Sequence, residues 1–121
     1  MKIVSVILAR GGSKAIPNKN IMLLKDKPLI QYSIDASLSS RVNETWVSTD
    51  SKKIKTVALQ CGAQVLDRPT ALATDTSSSE DSLLHFSECV DFDILVFLQP
   101  TSPLILAQDI NTGLDLLFNS D

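Results

Sequence analysis

The chain has 121 residues, the size of one domain at the usual ~100–200 residues per domain, and its 44% apolar and 21% charged content excludes disorder, collagen and mucin-like stalks. No apolar run approaches the ~20 residues of a membrane span, and Met1-Lys2-Ile3 runs into a short apolar stretch with no small-residue cleavage site, so neither an anchor nor a signal peptide is read. The net charge of −3 gives no support for nucleic-acid binding, where a basic domain is expected.

Residues 2–8 (KIVSVIL) form a short, β-branched apolar run and read as a buried strand. Residues 9–20 read as a loop with two glycines, lysines and a proline. Residues 28–39 carry Leu29, Ile30, Ile34 and Leu38 at a helical period, and Pro28 suits the first turn. Residues 45–48 (TWVS) predict a second strand. Asp50 fits an N-cap for a second helix whose face is Ile54, Val57, Ala58 and Cys61, and Gly62 stops it. Residues 63–66 predict a third strand. Residues 70–78 are polar and irregular; Ser77 with Glu80 matches a capping box, which starts a third helix over 78–89. Residues 94–98 (ILVFL) predict a fourth buried strand, 100–103 (PTSP) a rigid turn, and 107–118 a fourth helix with Ile110, Leu114 and Leu117 on one face.

Strands alternating with helices predict an α/β fold: a Rossmann-like, mostly parallel sheet with helices on both faces. Such sheets commonly have five or six strands, so the expectation is a sheet truncated after its fourth strand and fourth helix.

Cys61 and Cys89 stand 28 positions apart, which matches no metal motif. With a single histidine, His85, a zinc site or a histidine triad is not expected, and a reduced, cytoplasmic setting is. All 11 Lys and Arg fall within residues 1–68 against five acids, a balance of +6; residues 69–121 hold nine acids and no cation, −9. Such asymmetry is consistent with an anion site at the basic end, and equally with two solvated faces that differ.

The densest chemistry follows the first strand, the address where open α/β sheets place ligands. Arg10, Lys14 and Lys19 are three cations within ten residues, and no acid precedes Asp26. Gly11 and Gly12 let the backbone approach a ligand and present N–H groups to it. That combination suits a triphosphate. The loop is neither GxxxxGK[ST] nor GxGxxG, which excludes a P-loop and a dinucleotide-binding turn.

ARGGSKAIPNKN (9–20) resembles the loop of the acylneuraminate cytidylyltransferases, the CMP-sialic acid synthetases. The resemblance continues in register through KPLIQYSIDAS, VSTDSKKI, DRPTALATDTSSSED and LQPTSPL, and covers essentially the whole chain. Two positions depart from the family pattern: Ala15, where glycine is usual, and Ile105, where arginine is usual.

The resemblance implies that residues 1–121 are the nucleotide-binding part of a single cytidylyltransferase domain, with the sugar-binding, metal-binding and dimerisation part absent. It implies a nucleotidyltransferase that activates a nonulosonic, sialic-type acid with CTP, giving the CMP-sugar and pyrophosphate. Magnesium is the implied cofactor, with no ligand nominated here, and a homodimer is implied for the full-length protein. No nucleic-acid or membrane partner is expected. Arg10 and Lys19 are the implied catalytic residues. Nucleotide binding is implied for Ala9, Arg10, Gly11, Gly12, Ser13, Lys14, Lys19, Asn20, Arg68, Ser77, Ser79 and Gln99. Among these, the resemblance implies that Arg68, Ser77 and Ser79 surround cytosine and ribose, and a guanidinium fork suits the acceptor edge of cytosine. Two other readings stay open: a non-catalytic CTP-binding fragment, and an interaction module using the acidic face of residues 69–121.

Overall fold

A computed structural model describes residues 1–11, 21, 23–69, 79–99 and 106–119. Four strands, β1 (Ile3–Leu8), β4 (Glu44–Thr49), β5 (Gln64–Asp67) and β6 (Ile94–Leu98), form one sheet in the order β5-β4-β1-β6. Every neighbouring pair in it is parallel, so the carboxyl ends of all four strands share one edge. A two-stranded ribbon, β2 (Leu23–Leu24) with β3 (Lys27–Pro28), precedes α1 (Leu29–Leu38); α2 (Lys52–Gln60), α3 (Ser79–Cys89) and α4 (Ala107–Phe118) complete the fold.

Alternation along β1 sends its side chains to two cores. Ile3 and Ile7 join Val47 of β4, Ile30 and Ile34 of α1, Ile54 and Ala58 of α2, and Ile110 and Leu114 of α4. Val4 and Val6 pack with Phe86 and Val90 on the α3 side, where Trp46, Leu66, Leu83 and Phe92 add to them. Phe86 meets Trp46 edge-on at 5.9 Å and stacks on Phe92 at 6.0 Å. Helices therefore cover both faces, three against one. Burying each of the large aliphatic side chains contributes roughly 1.5–3 kcal/mol.

Ser5 faces the first core and would be a liability there alone. Its hydroxyl bonds Ser37 Oγ at 2.5 Å, which bonds Thr45 Oγ1 at 2.6 Å, so β1, α1 and β4 share a closed hydroxyl chain. The basic and acidic halves of the sequence are also tied together. Arg41 pairs with Asp115 and donates to the Asn111 carbonyl of α4 at 2.7 Å, and Asp93 accepts the Lys2 backbone N–H.

The structure corrects four expectations. Pro28 ends β3 and flanks α1 as its N-cap rather than opening the helix. The β2–β3 ribbon is new: Lys25 (φ 54°) and Asp26 (φ 65°) turn it through the left-handed region, the backbone of a tight hairpin. Tyr32 Oη holds it to α1 through the Leu24 carbonyl at 2.6 Å. Among the described strands β6, expected to be buried, lies at the edge of the sheet with Phe97 40% exposed, and Leu117, expected on the buried face of α4, is 52% exposed. The capping box of Ser77 and Glu80 lies partly outside the described residues. Among the described residues no helix is long and apolar enough to cross a membrane.

Candidate functional site

Strand register sets the site. Leu8 lies beside Ser48, Ser48 beside Leu66, and Ile7 beside Leu98. The residues just beyond, Ala9 to Gly11, Asp50, Arg68 and Gln99, thus meet along the carboxyl edge of the sheet, although up to 90 positions separate them in the chain. Two backbone bonds carry the ladder past the strand ends. Ala9 N–H donates to Ser48 O at 3.0 Å and Arg68 N–H to Thr49 O at 2.8 Å.

Ala9 is fully buried and serves as the root of the loop rather than as an exposed contact. Arg10 follows, half-buried. Gly11 then presses on the start of α2: a Cβ there would lie 2.7 Å from Ser51 Cβ and 3.2 Å from its Oγ. Close approach, not an unusual φ, is what requires glycine at this position. The Gly11 N–H donates to Asp50 Oδ1 at 2.9 Å.

That bond corrects the assignment of Asp50. The N-cap of α2 is Ser51, whose Oγ accepts the Ile54 N–H at 3.3 Å; Asp50, one residue earlier, spends a carboxylate oxygen on the loop instead. The first turn of α2 holds Lys52 and Lys53 and no acid. Helix dipoles disfavour cations at that end, so the placement is not explained by helix stability. A cleft of about 310 Å³ opens here, lined by Thr49, Asp50, Ser51, Lys52, Lys55, Asp67 and Arg68, with Lys55 Nζ 3.1 Å from both Asp67 oxygens.

Arg68 is only 7% exposed, which its sequence context did not signal. Nη2 donates to Ser48 O at 2.8 Å and Nη1 to Ser82 Oγ at 3.1 Å, so the guanidinium joins β5, β4 and α3. Burial lowers its pKa below the usual arginine range; the charge of Asp50 opposes that shift and the charge of Arg10 adds to it. Arg10, Asp50 and Arg68 thus form one electrostatic group. Ser82, from α3, and the Ser48 carbonyl carry no sequence motif, and only the fold brings them to Arg68.

Gln99 is exposed at the end of β6, and its carbonyl accepts the Ser33 hydroxyl of α1 at 2.6 Å. Ser79 opens α3 and is exposed. Gly12, Ser13, Lys14, Lys19, Asn20 and Ser77 lie outside the described residues, as do Ala15 and Ile105. His85 sits on α3 with Cys89 Sγ 3.8 Å from its Nε2. Among the described residues no three His, Cys, Asp or Glu side chains gather to hold a metal ion.

A family model described as "Cytidylyltransferase" matches residues 4–121. The N-acylneuraminate cytidylyltransferase of Escherichia coli is 45% identical over 104 residues, 84% of this chain and 25% of its own length. The CMP-N,N'-diacetyllegionaminic acid synthase of Legionella pneumophila is 46% identical over 123 residues, 96% of this chain and 53% of its own. A solved CMP:2-keto-3-deoxy-manno-octonic acid synthetase, complexed with CTP, superposes with a TM-score of 0.86 at 30% identity, covering 98% of this chain and 48% of that one. The chain thus spans between a quarter and about half of these relatives. A match over nearly every residue, with the Rossmann-like sheet order and the glycine loop at its carboxyl edge, places the chain in the cytidylyltransferase family.

Proposed function

We propose that this chain supplies the CTP-holding part of an enzyme that couples CTP to a nonulosonic acid. The observation that carries the reading is the single row formed by Arg10, Gly11, Asp50 and Arg68 at the carboxyl edge of a parallel sheet, the edge where such folds bind ligands. Relatives named for N-acylneuraminate and N,N'-diacetyllegionaminic acid, and a solved relative that holds CTP, support the substrate class.

In the proposed reaction the anomeric hydroxyl oxygen of the sugar attacks the α-phosphorus of CTP. The new O–Pα bond forms as the Pα–O bond to the β-phosphate breaks. The hydroxyl proton is lost and pyrophosphate leaves. No covalent enzyme intermediate is needed, so the protein's work is positioning and charge neutralisation. Arg10, with Lys19 further along the loop, neutralises the triphosphate. Arg68 faces the acceptor edge of cytosine, with Ser77, Ser79 and Gln99 around the nucleoside. Magnesium belongs to the proposal, but no cluster among the described residues fits it.

Binding is the direct test. A charge-assisted hydrogen bond contributes roughly 1.5–3 kcal/mol, so Arg10→Ala should weaken CTP binding by about 10- to 150-fold, and CMP binding much less, because CMP lacks the β- and γ-phosphates. Calorimetry with both nucleotides at two salt concentrations measures this. Unchanged CTP affinity in Arg10→Ala would reduce the loop to a glycine turn with solvated cations.

A further inference from the structure

A carboxylate at the mouth of a triphosphate site is electrostatically misplaced, since it repels the ligand that Arg10 and Arg68 attract. Asp50 is exposed at that mouth, bonded to the Gly11 N–H next to Arg10 in the chain and close enough for its charge to act on Arg68. It is not the cap of α2, because Ser51 fills that role. What it does hold is the Gly11 N–H, at 2.9 Å, at the point where the loop leaves the sheet.

We propose that Asp50 is the positioning residue of the loop: its Oδ1 anchors Gly11 against the start of α2, so that Arg10, between the fixed amides of Ala9 and Gly11, is held towards the triphosphate. The inference rests on the CTP reading above. Three contacts in sequence make the anchor. Ala9 N–H is fixed on Ser48 O, Gly11 N–H on Asp50 Oδ1, and the Gly11 Cα sits where a side chain would strike Ser51. The backbone is thus fixed on both sides of Arg10, the residue that neutralises the triphosphate. The Gly11 N–H is consumed as an anchor. Asp50 contacts no reacting atom and acts entirely through Gly11.

Two substitutions separate anchoring from charge, because they move CTP affinity in opposite directions. Asp50→Asn keeps an oxygen acceptor for Gly11 and removes the negative charge; its CTP affinity should match or exceed the parent's by up to about threefold, and the gain should vanish at high salt. Asp50→Ala removes the same charge and also the acceptor; despite the relieved repulsion it should bind CTP about tenfold more weakly, a cost of about 1.4 kcal/mol. The second readout needs no ligand. In amide NMR spectra the Gly11 N–H should be shifted downfield and protected from exchange in the parent, largely so in Asp50→Asn, and released in Asp50→Ala.

If both variants tighten CTP binding, Asp50 is only a repelling charge. If both weaken it equally, the charge and not the acceptor is what matters. Either result overturns the proposal, as does a Gly11 amide unmoved by Asp50→Ala. A parent chain that fails to bind CTP, with the Gly11 amide behaving as described, removes the function above and leaves the anchor standing.

Discussion

Replacing Arg68 by methionine tests the clamp that the fold shows and the base reading proposed for the same side chain. The guanidinium is 7% exposed and donates to Ser48 O and Ser82 Oγ. Two charge-assisted bonds carry a gross value of roughly 3–6 kcal/mol. Part of this is offset, because burial makes the charged form less favourable than in water, as the lowered pKa shows. Methionine refills the volume without a charge to desolvate, so the expected net loss is about 1–3 kcal/mol. A 121-residue chain unfolds with an entropy near 0.25 kcal/mol per kelvin, so the melting temperature should fall by about 4–12 °C. Arg68→Lys should recover little of this, since one ammonium lacks the planar fork that reaches both acceptors. Thermal and urea unfolding followed by circular dichroism give the stability. Parallel titrations with CTP and UTP give the base preference, which should favour CTP in the parent and collapse in Arg68→Met. Unaltered melting in Arg68→Met would refute the clamp; a retained CTP preference would refute base reading. The two outcomes are independent, so each role stands or falls alone.

Three further substitutions or probes address the same edge and its surroundings. Gly11→Ala forces a Cβ to 2.7 Å from Ser51 Cβ and should cost about 1–3 kcal/mol in urea unfolding, with CTP binding reduced as the loop is displaced; parent-like values in both would contradict the close approach. Ser48 Oγ is buried and, among the described residues, has no hydrogen-bond partner, so Ser48→Ala removes an uncompensated group that costs about 1–3 kcal/mol and should leave stability equal or higher; a lower melting temperature would argue against it. Burial first, then the charge of Asp35, raises the Cys61 pKa, with Lys27 opposing. Its thiolate is therefore disfavoured in the folded state. Iodoacetamide should label Cys61 more slowly than the exposed Cys89 at neutral pH, with labelling rising only in alkaline buffer. Because the folded pKa is the higher one, any stability linked to Cys61 is complete below the unfolded pKa and is lost as pH rises towards the folded one. Equal labelling rates would refute the shift.

The sheet was legible in the sequence because its signals are local. Apolar β-branched runs gave β1, β4 and β6, and helical periodicity gave α1, α2 and α4. The β2–β3 ribbon escaped notice because its turn is Lys25-Asp26, without the glycine or asparagine that usually marks a left-handed turn. The β6 run looked like an interior strand because apolar content does not reveal strand order; only the pairing shows it at an edge. At the site, the glycine pair and nearby cations drew attention to the loop after β1, and the fold puts Arg10 and Gly11 at the carboxyl edge of the sheet. Asp50 was misassigned because it and Ser51 are adjacent and both can cap a helix; Gly11, 39 positions upstream, decides between them. The burial of Arg68 was illegible for the same reason, since its acceptors lie 14 and 20 positions away.

The Ser48 carbonyl accepts from Ala9 N–H at 3.0 Å and from Arg68 Nη2 at 2.8 Å. A carbonyl oxygen has two lone pairs, and these donors occupy both. The root of the loop and the buried guanidinium are therefore connected in series through one atom. Residues that share a partner in this way do not behave independently. A double-mutant cycle between Gly11→Ala and Arg68→Met should thus show a coupling energy of about 0.5–3 kcal/mol rather than simple addition. Under the function proposed above, the same oxygen would make the grip on the base and the grip on the phosphates a single cooperative unit, in which loosening either end is felt at the other.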